Sequence, residues 1–65
     1  MTTQYQIKEY INRNIFKCAN ELGEIVWNCI DLREGDTFQC STKKEAVDIF
    51  VNIWDTLSKE EKNRA

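Results

Sequence analysis

The chain has 65 residues and a net charge of −2, with nine Lys and Arg against eleven Asp and Glu; this length leaves room for one hydrophobic core and hardly a second, so a single domain is expected. Three cysteines without a Cys-x-x-Cys pair, and no histidine, exclude complete intramolecular disulfide pairing and argue against a zinc knuckle, so no metal or cofactor is expected. No run approaches the roughly 20 apolar residues that span a bilayer, and Met1-Thr2-Thr3-Gln4-Tyr5 lacks the basic flank and apolar stretch of a signal peptide; the expectation is a cytoplasmic protein with free thiols and no membrane partner.

From Gln4 onward, Ile7, Ile11, Ile15, Cys18 and Leu22 recur at steps of four, four, three and four, the pattern of one helical face. The spacing predicts a helix over 4–22, supported by Glu9 and Arg13 at an i, i+4 spacing and closed by Gly23 as its left-handed C-terminal residue. Thr3, Tyr5 and Ile7 also alternate, so a short leading strand competes for the first turn.

The run from Glu24 to Leu32 is rich in β-branched and aromatic residues, and Arg33-Glu34-Gly35-Asp36 supplies a turn before Thr37-Phe38-Gln39-Cys40-Ser41. A β-hairpin with strands over 24–32 and 37–41 follows. Two loops compete. A three-residue loop with Gly35 in a left-handed bulge puts Phe38 on one face with Val26, Ile30 and Leu32; a two-residue loop joins Phe38 and Cys40 to Ile25, Trp27 and Cys29. The first is preferred, because Glu-Gly is a poor type I′ pair.

Thr42-Lys43-Lys44-Glu45 is a capping box, and it predicts a helix over 43–57 with a core stripe of Ala46, Ile49, Phe50, Ile53 and Leu57. Ser58-Lys59-Glu60-Glu61 repeats the capping signal, either for a short extra C-terminal helix or within the exposed end of the preceding one, in a polar tail over 58–65. The fold class is therefore α+β, a single domain over 1–65 in the order helix, β-hairpin, helix (αββα). That order resembles the architecture of small phage head-to-tail joining proteins, without a shared residue-level motif.

Catalytic constellations are lacking in the sequence. The cysteines have no histidine base, and Cys18, Cys29 and Cys40 read as small apolar side chains. Asp31, Glu34 and Asp36 cluster at a turn, where water keeps carboxylates in their ordinary range. With no phosphate loop or nucleotide fingerprint and little room for a deep pocket, neither an enzyme nor a small-molecule substrate is expected.

The positive signal is surplus apolar surface. Strand one is apolar on both faces, Phe16 lies off the helical stripe, and Val47, Val51 and Trp54 form a ridge beside the core stripe of the last helix. Phe16, Trp27, Val47, Val51 and Trp54 are thus the candidate partner-binding residues, and the expected function is a non-enzymatic protein-interaction module. Such a module would be a regulator or inhibitor that binds a partner protein or forms a homodimer. Two alternatives remain: a nucleic-acid binder using Lys43 and Lys44 at the start of helix two, which the interleaved charges disfavour, and a structural subunit of a larger assembly such as a phage particle.

Overall fold

A computed structural model describes residues 2–65. Its elements are helix α1 (Lys8–Asn14), strands β1 (Ile15–Ala19), β2 (Ile25–Ile30) and β3 (Thr37–Cys40), helix α2 (Lys43–Trp54) and a short helix α3 (Lys59–Lys62). The α+β class and the order helix, hairpin, helix hold, with one additional strand between the first helix and the hairpin. The three strands form an antiparallel sheet in the order β1-β2-β3.

The expected helix over 4–22 is the main correction. Ile7, Ile11 and Ile15 are buried as the stripe requires, but the helix stops at Asn14 and the chain continues as a strand. Two local causes are visible. Asn14 turns its Nδ2 back to the Tyr10 carbonyl at 2.8 Å, the kind of side-chain bond that competes with helix continuation. Beyond it, Ile15 and Phe16 favour a strand, and Ile15-Phe16-Lys17-Cys18-Ala19 alternates between the two faces of the sheet. Cys18 and Leu22, whose spacing also fits a helix, lie on the sheet and in the following turn. Residues 4–7 form a turn, so the competing leading strand is not there either.

Gly23 keeps its left-handed conformation, φ +80°, but serves a β-turn instead of a helix end. Asn20 N donates to Glu24 O at 2.9 Å, which closes a three-residue loop, Glu21-Leu22-Gly23, with glycine in the position such loops reserve for it. The Asn20 side-chain oxygen accepts from Leu22 N and Glu24 N at 2.9 and 3.0 Å and fixes the turn.

In the second hairpin, Cys29 stands opposite Phe38 and Trp27 opposite Cys40. This is the face assignment of the less favoured loop, and the preferred grouping of Phe38 with Val26 and Ile30 is overturned. The loop itself has four residues: Asp31 N donates to Asp36 O at 2.7 Å, and Gly35 N to Asp31 O at 2.7 Å, with Gly35 at φ +79°. An even loop length restores the parity of the two-residue alternative. The extra length lets Leu32 turn inward, where it is buried.

The core lies between the sheet and the helices. Ile15, Cys29 and Cys40 from the sheet meet Ile7 and Ile11 from the first segment and Ala46, Val47, Phe50, Ile53 and Trp54 from α2, with Leu32 and Leu57 closing one end. Thr42 caps α2, its Oγ1 accepting from Glu45 N at 3.2 Å. Ser58 forms the full reciprocal box with Glu61, so the tail is an ordered turn of helix. Arg64 Nη1 then donates to the Leu32 carbonyl, which ties the C-terminus to the hairpin loop.

Candidate interaction surface

Antiparallel pairing puts directly opposed residues on one face of the sheet. Ile15, Lys17, Ala19, Ile25, Trp27, Cys29, Phe38 and Cys40 lie on the helix-bearing side, where Lys17, Ala19 and Ile25, at 57% exposure, stay uncovered. The opposite face carries Phe16 and Cys18 from β1, Val26, Asn28 and Ile30 from β2, and Thr37 and Gln39 from β3. None of these seven is charged, in a chain whose residues are 31% charged. A solvated sheet face ordinarily alternates with charged side chains, so this face has the composition of the centre of an interface.

Phe16 is 45% exposed there, Cys18 and Val26 are half-buried, and Ile30, at the loop end of β2, is half-buried against the core. Asn28 Nδ2 donates to the Cys18 sulfur across the strands, which orders the middle of the face without covering it. An open concavity of about 560 Å³ runs from Gln39, Asn28 and Cys18 toward the β1–β2 turn at Asn20, Glu21 and Leu22, where Glu21 brings a carboxylate to its end. Leu22 is 82% exposed at that end. The accessible surface of 4726 Å² exceeds the about 4,300 Å² usual for a monomer of 7.7 kDa, as an uncovered sheet should.

The five residues singled out in the sequence do not form one surface. Phe16 is on the open face. Val47 and Trp54 are core residues, because α2 packs against all three strands and turns its shoulder toward α1 and α3. Trp54 lies 4.7 Å from the Tyr10 ring and 6.0 Å from the Phe50 ring, centroid to centroid, with Lys62 Nζ 5.3 Å above it. Val51 is half-buried against the same core. Trp27 faces the helices, its ring 5.6 Å from Lys43 Nζ in a cation–π contact. Cys18, Asn28 and Gln39 were missed; the available signal was the uncharged alternation of positions 26, 28 and 30 with 37 and 39.

Cys29, Cys40 and Asp31 are each shifted by their surroundings. Burial, with the neighbouring Cys40 and Asp31 adding to it, pushes the Cys29 thiol up to about 12, and burial also raises Cys40. At the hairpin loop, Arg33 donates to Asp31 through Nε at 3.2 Å and Nη2 at 3.1 Å. That fork holds the Asp31 carboxyl below the usual carboxylate range, the opposite of what a general acid needs. Among the described residues, no three potential ligands come together to hold a metal ion, and no helix is long and apolar enough to cross a membrane. In comparisons with known proteins, no family model matches the chain, nor does any curated protein or solved structure.

Proposed function

We propose that the protein is a non-enzymatic interaction module that associates through the open face of its sheet, with a second copy of the chain as the occupant. The observation that carries this reading is the absence of charge among the seven residues of that face. An uncharged patch meets its own copy in a two-fold arrangement without like-charge repulsion, whereas a patch of one sign would select an oppositely charged partner. Phe16, Val26 and Ile30 supply the apolar contact, and Asn28, Thr37 and Gln39 supply hydrogen-bonding groups of both kinds.

Pairing along the β1 edge of the sheet is disfavoured relative to face-to-face stacking. Lys17 sits at the centre of edge strand β1, and antiparallel self-pairing about that residue would bring two ammonium groups together. Strands about 4.8 Å apart with about 3.3 Å per residue give a face of roughly 15 by 17 Å, so stacking two copies buries on the order of 500–800 Å² in total. That is below the about 1,200 Å² of a standard stable interface, and the expected dimer is therefore concentration-dependent. A reducing cytoplasm suits a protein with three unpaired thiols.

Sedimentation equilibrium from micromolar to millimolar protein tests the proposal. A monomer–dimer equilibrium is expected, and Phe16→Glu should leave a folded monomer. A monomer at every concentration, or a dimer equally strong in Phe16→Glu, would contradict it; the first result would redirect the face to a heterologous protein.

A further inference from the structure

On the helix-bearing side, away from the open sheet face, α1 and the start of α2 frame an open cleft of about 440 Å³ lined by Gln4, Tyr5, Lys8, Ile11, Asn12 and Lys43. The chain carries more acids than bases, yet this lining contains two ammonium groups and no carboxylate. Glu9, the one acid of α1, lies outside this lining, in an adjoining depression that shares Tyr5 and Lys8, and pairs with Arg13 at 3.8 Å. Buried Ile11 forms an apolar floor, and the Tyr5 ring stands 87% exposed beside it. An adjoining depression shares Gln4 and Lys43 and adds Lys44, Val47 and Asp48.

We propose that this cleft binds a nucleotide unit, a phosphate joined to a planar base. Lys8 and Lys43 meet the phosphate, and Tyr5 offers a ring for the base to stack on. Gln4 and Asn12 carry amides able to donate to and accept from sugar hydroxyls or the base edge. The size fits, since small-molecule clefts run from about 300 to 1,000 Å³. Lys43 is held in place by its contact with Trp27, so one of the two cations is partly ordered before a ligand arrives. The sequence pointed only to Lys43 and Lys44; folding brings in Lys8 and Asn12 from α1 and Tyr5 from the turn before it. The same chemistry is supplied by a free mononucleotide or by one residue of a single strand, and the two sources separate in experiment.

The test is titration of the ¹⁵N-labelled full chain with AMP, ribose 5-phosphate, adenosine and an oligo(dA) strand about ten nucleotides long. Saturable amide shifts at Tyr5, Lys8, Asn12 and Lys43 are expected with AMP, and binding of ribose 5-phosphate or adenosine should be about tenfold weaker or more. Lys8→Gln with Lys43→Gln should weaken AMP about tenfold; Lys8→Gln alone, which leaves the Trp27 contact intact, should weaken it severalfold. Tyr5→Ala should abolish the preference for AMP over ribose 5-phosphate. An oligo(dA) affinity above that of AMP, falling steeply with salt, assigns the site to a strand; an affinity no higher assigns it to the free nucleotide. No saturable shift with AMP or oligo(dA) at millimolar ligand, shifts confined to other residues, or binding unchanged in the folded lysine variants would overturn the proposal.

Discussion

Replacement of Trp54 by alanine distinguishes a core residue from an exposed ridge residue. Trp54 is 8% exposed, packed on Tyr10 and Phe50. An indole side chain of about 200 Å² at about 25 cal/mol per Å² corresponds to about 5 kcal/mol of burial. Residual compactness of the unfolded chain reduces this by about 10–40%, to about 3–4 kcal/mol, in the range found for large-to-small changes in cores. A domain of 65 residues has a total stability of about 3–10 kcal/mol, so Trp54→Ala removes a third or more of it. Urea unfolding, followed by circular dichroism and by the fluorescence of the remaining Trp27, measures the loss. A melting temperature lower by about 12 °C or more is expected. A loss below about 1 kcal/mol would mean that the indole is not buried and that the packing of α2 described here is wrong.

Gly23→Ala should cost about 1–2 kcal/mol from backbone conformation alone, since φ is +80° and an added Cβ meets nothing within 4 Å; thermal unfolding checks it, and Gly23→Asn should cost less. The Asp31 carboxyl is more acidic in the folded state than in the unfolded chain, so its contribution to stability is present above the unfolded value near pH 4 and disappears as pH falls through the lower folded value. Urea titrations between pH 7 and pH 2 should therefore show a smaller acid-side loss for Asp31→Asn than for the parent. Brief alkylation of the native protein, read by mass spectrometry, should modify Cys18 ahead of Cys29 and Cys40, because the latter two are buried and held as thiols.

Much of the fold is legible in the sequence where a residue type has a single structural use. Thr42 and Ser58 mark helix starts, Gly35 marks a left-handed turn position, and Ile7, Ile11 and Ile15 form the buried stripe. The stretch from Ile15 to Leu22 was not legible, because the steps of three and four satisfy a helix, while in the strand Ile15 and Cys18 fall on opposite faces and leave no period-two signal. The pattern Asn20-Glu21-Leu22-Gly23 between two β-favouring runs was the hairpin signal that decides between them. Val47 and Trp54 look like a free ridge when α2 is considered alone; they are buried because the helix packs on three strands and meets Tyr10 and Lys62 beside its axis. The open face depends on strand parity, and parity turns on a loop one residue longer than the sequence favoured. Phe16 is exposed as its sequence position suggests, but it projects from a strand rather than from the polar side of a helix.

The claim that the uncharged sheet face meets a second copy is tested most directly by isotope-filtered NMR on a mixture of ¹³C-labelled and unlabelled chains at millimolar concentration. Contacts between the Phe16 ring of one copy and the Val26 or Ile30 methyl groups of another are predicted. Intermolecular contacts from α2 instead, or none from this face in a sample that is dimeric by sedimentation, would contradict the account.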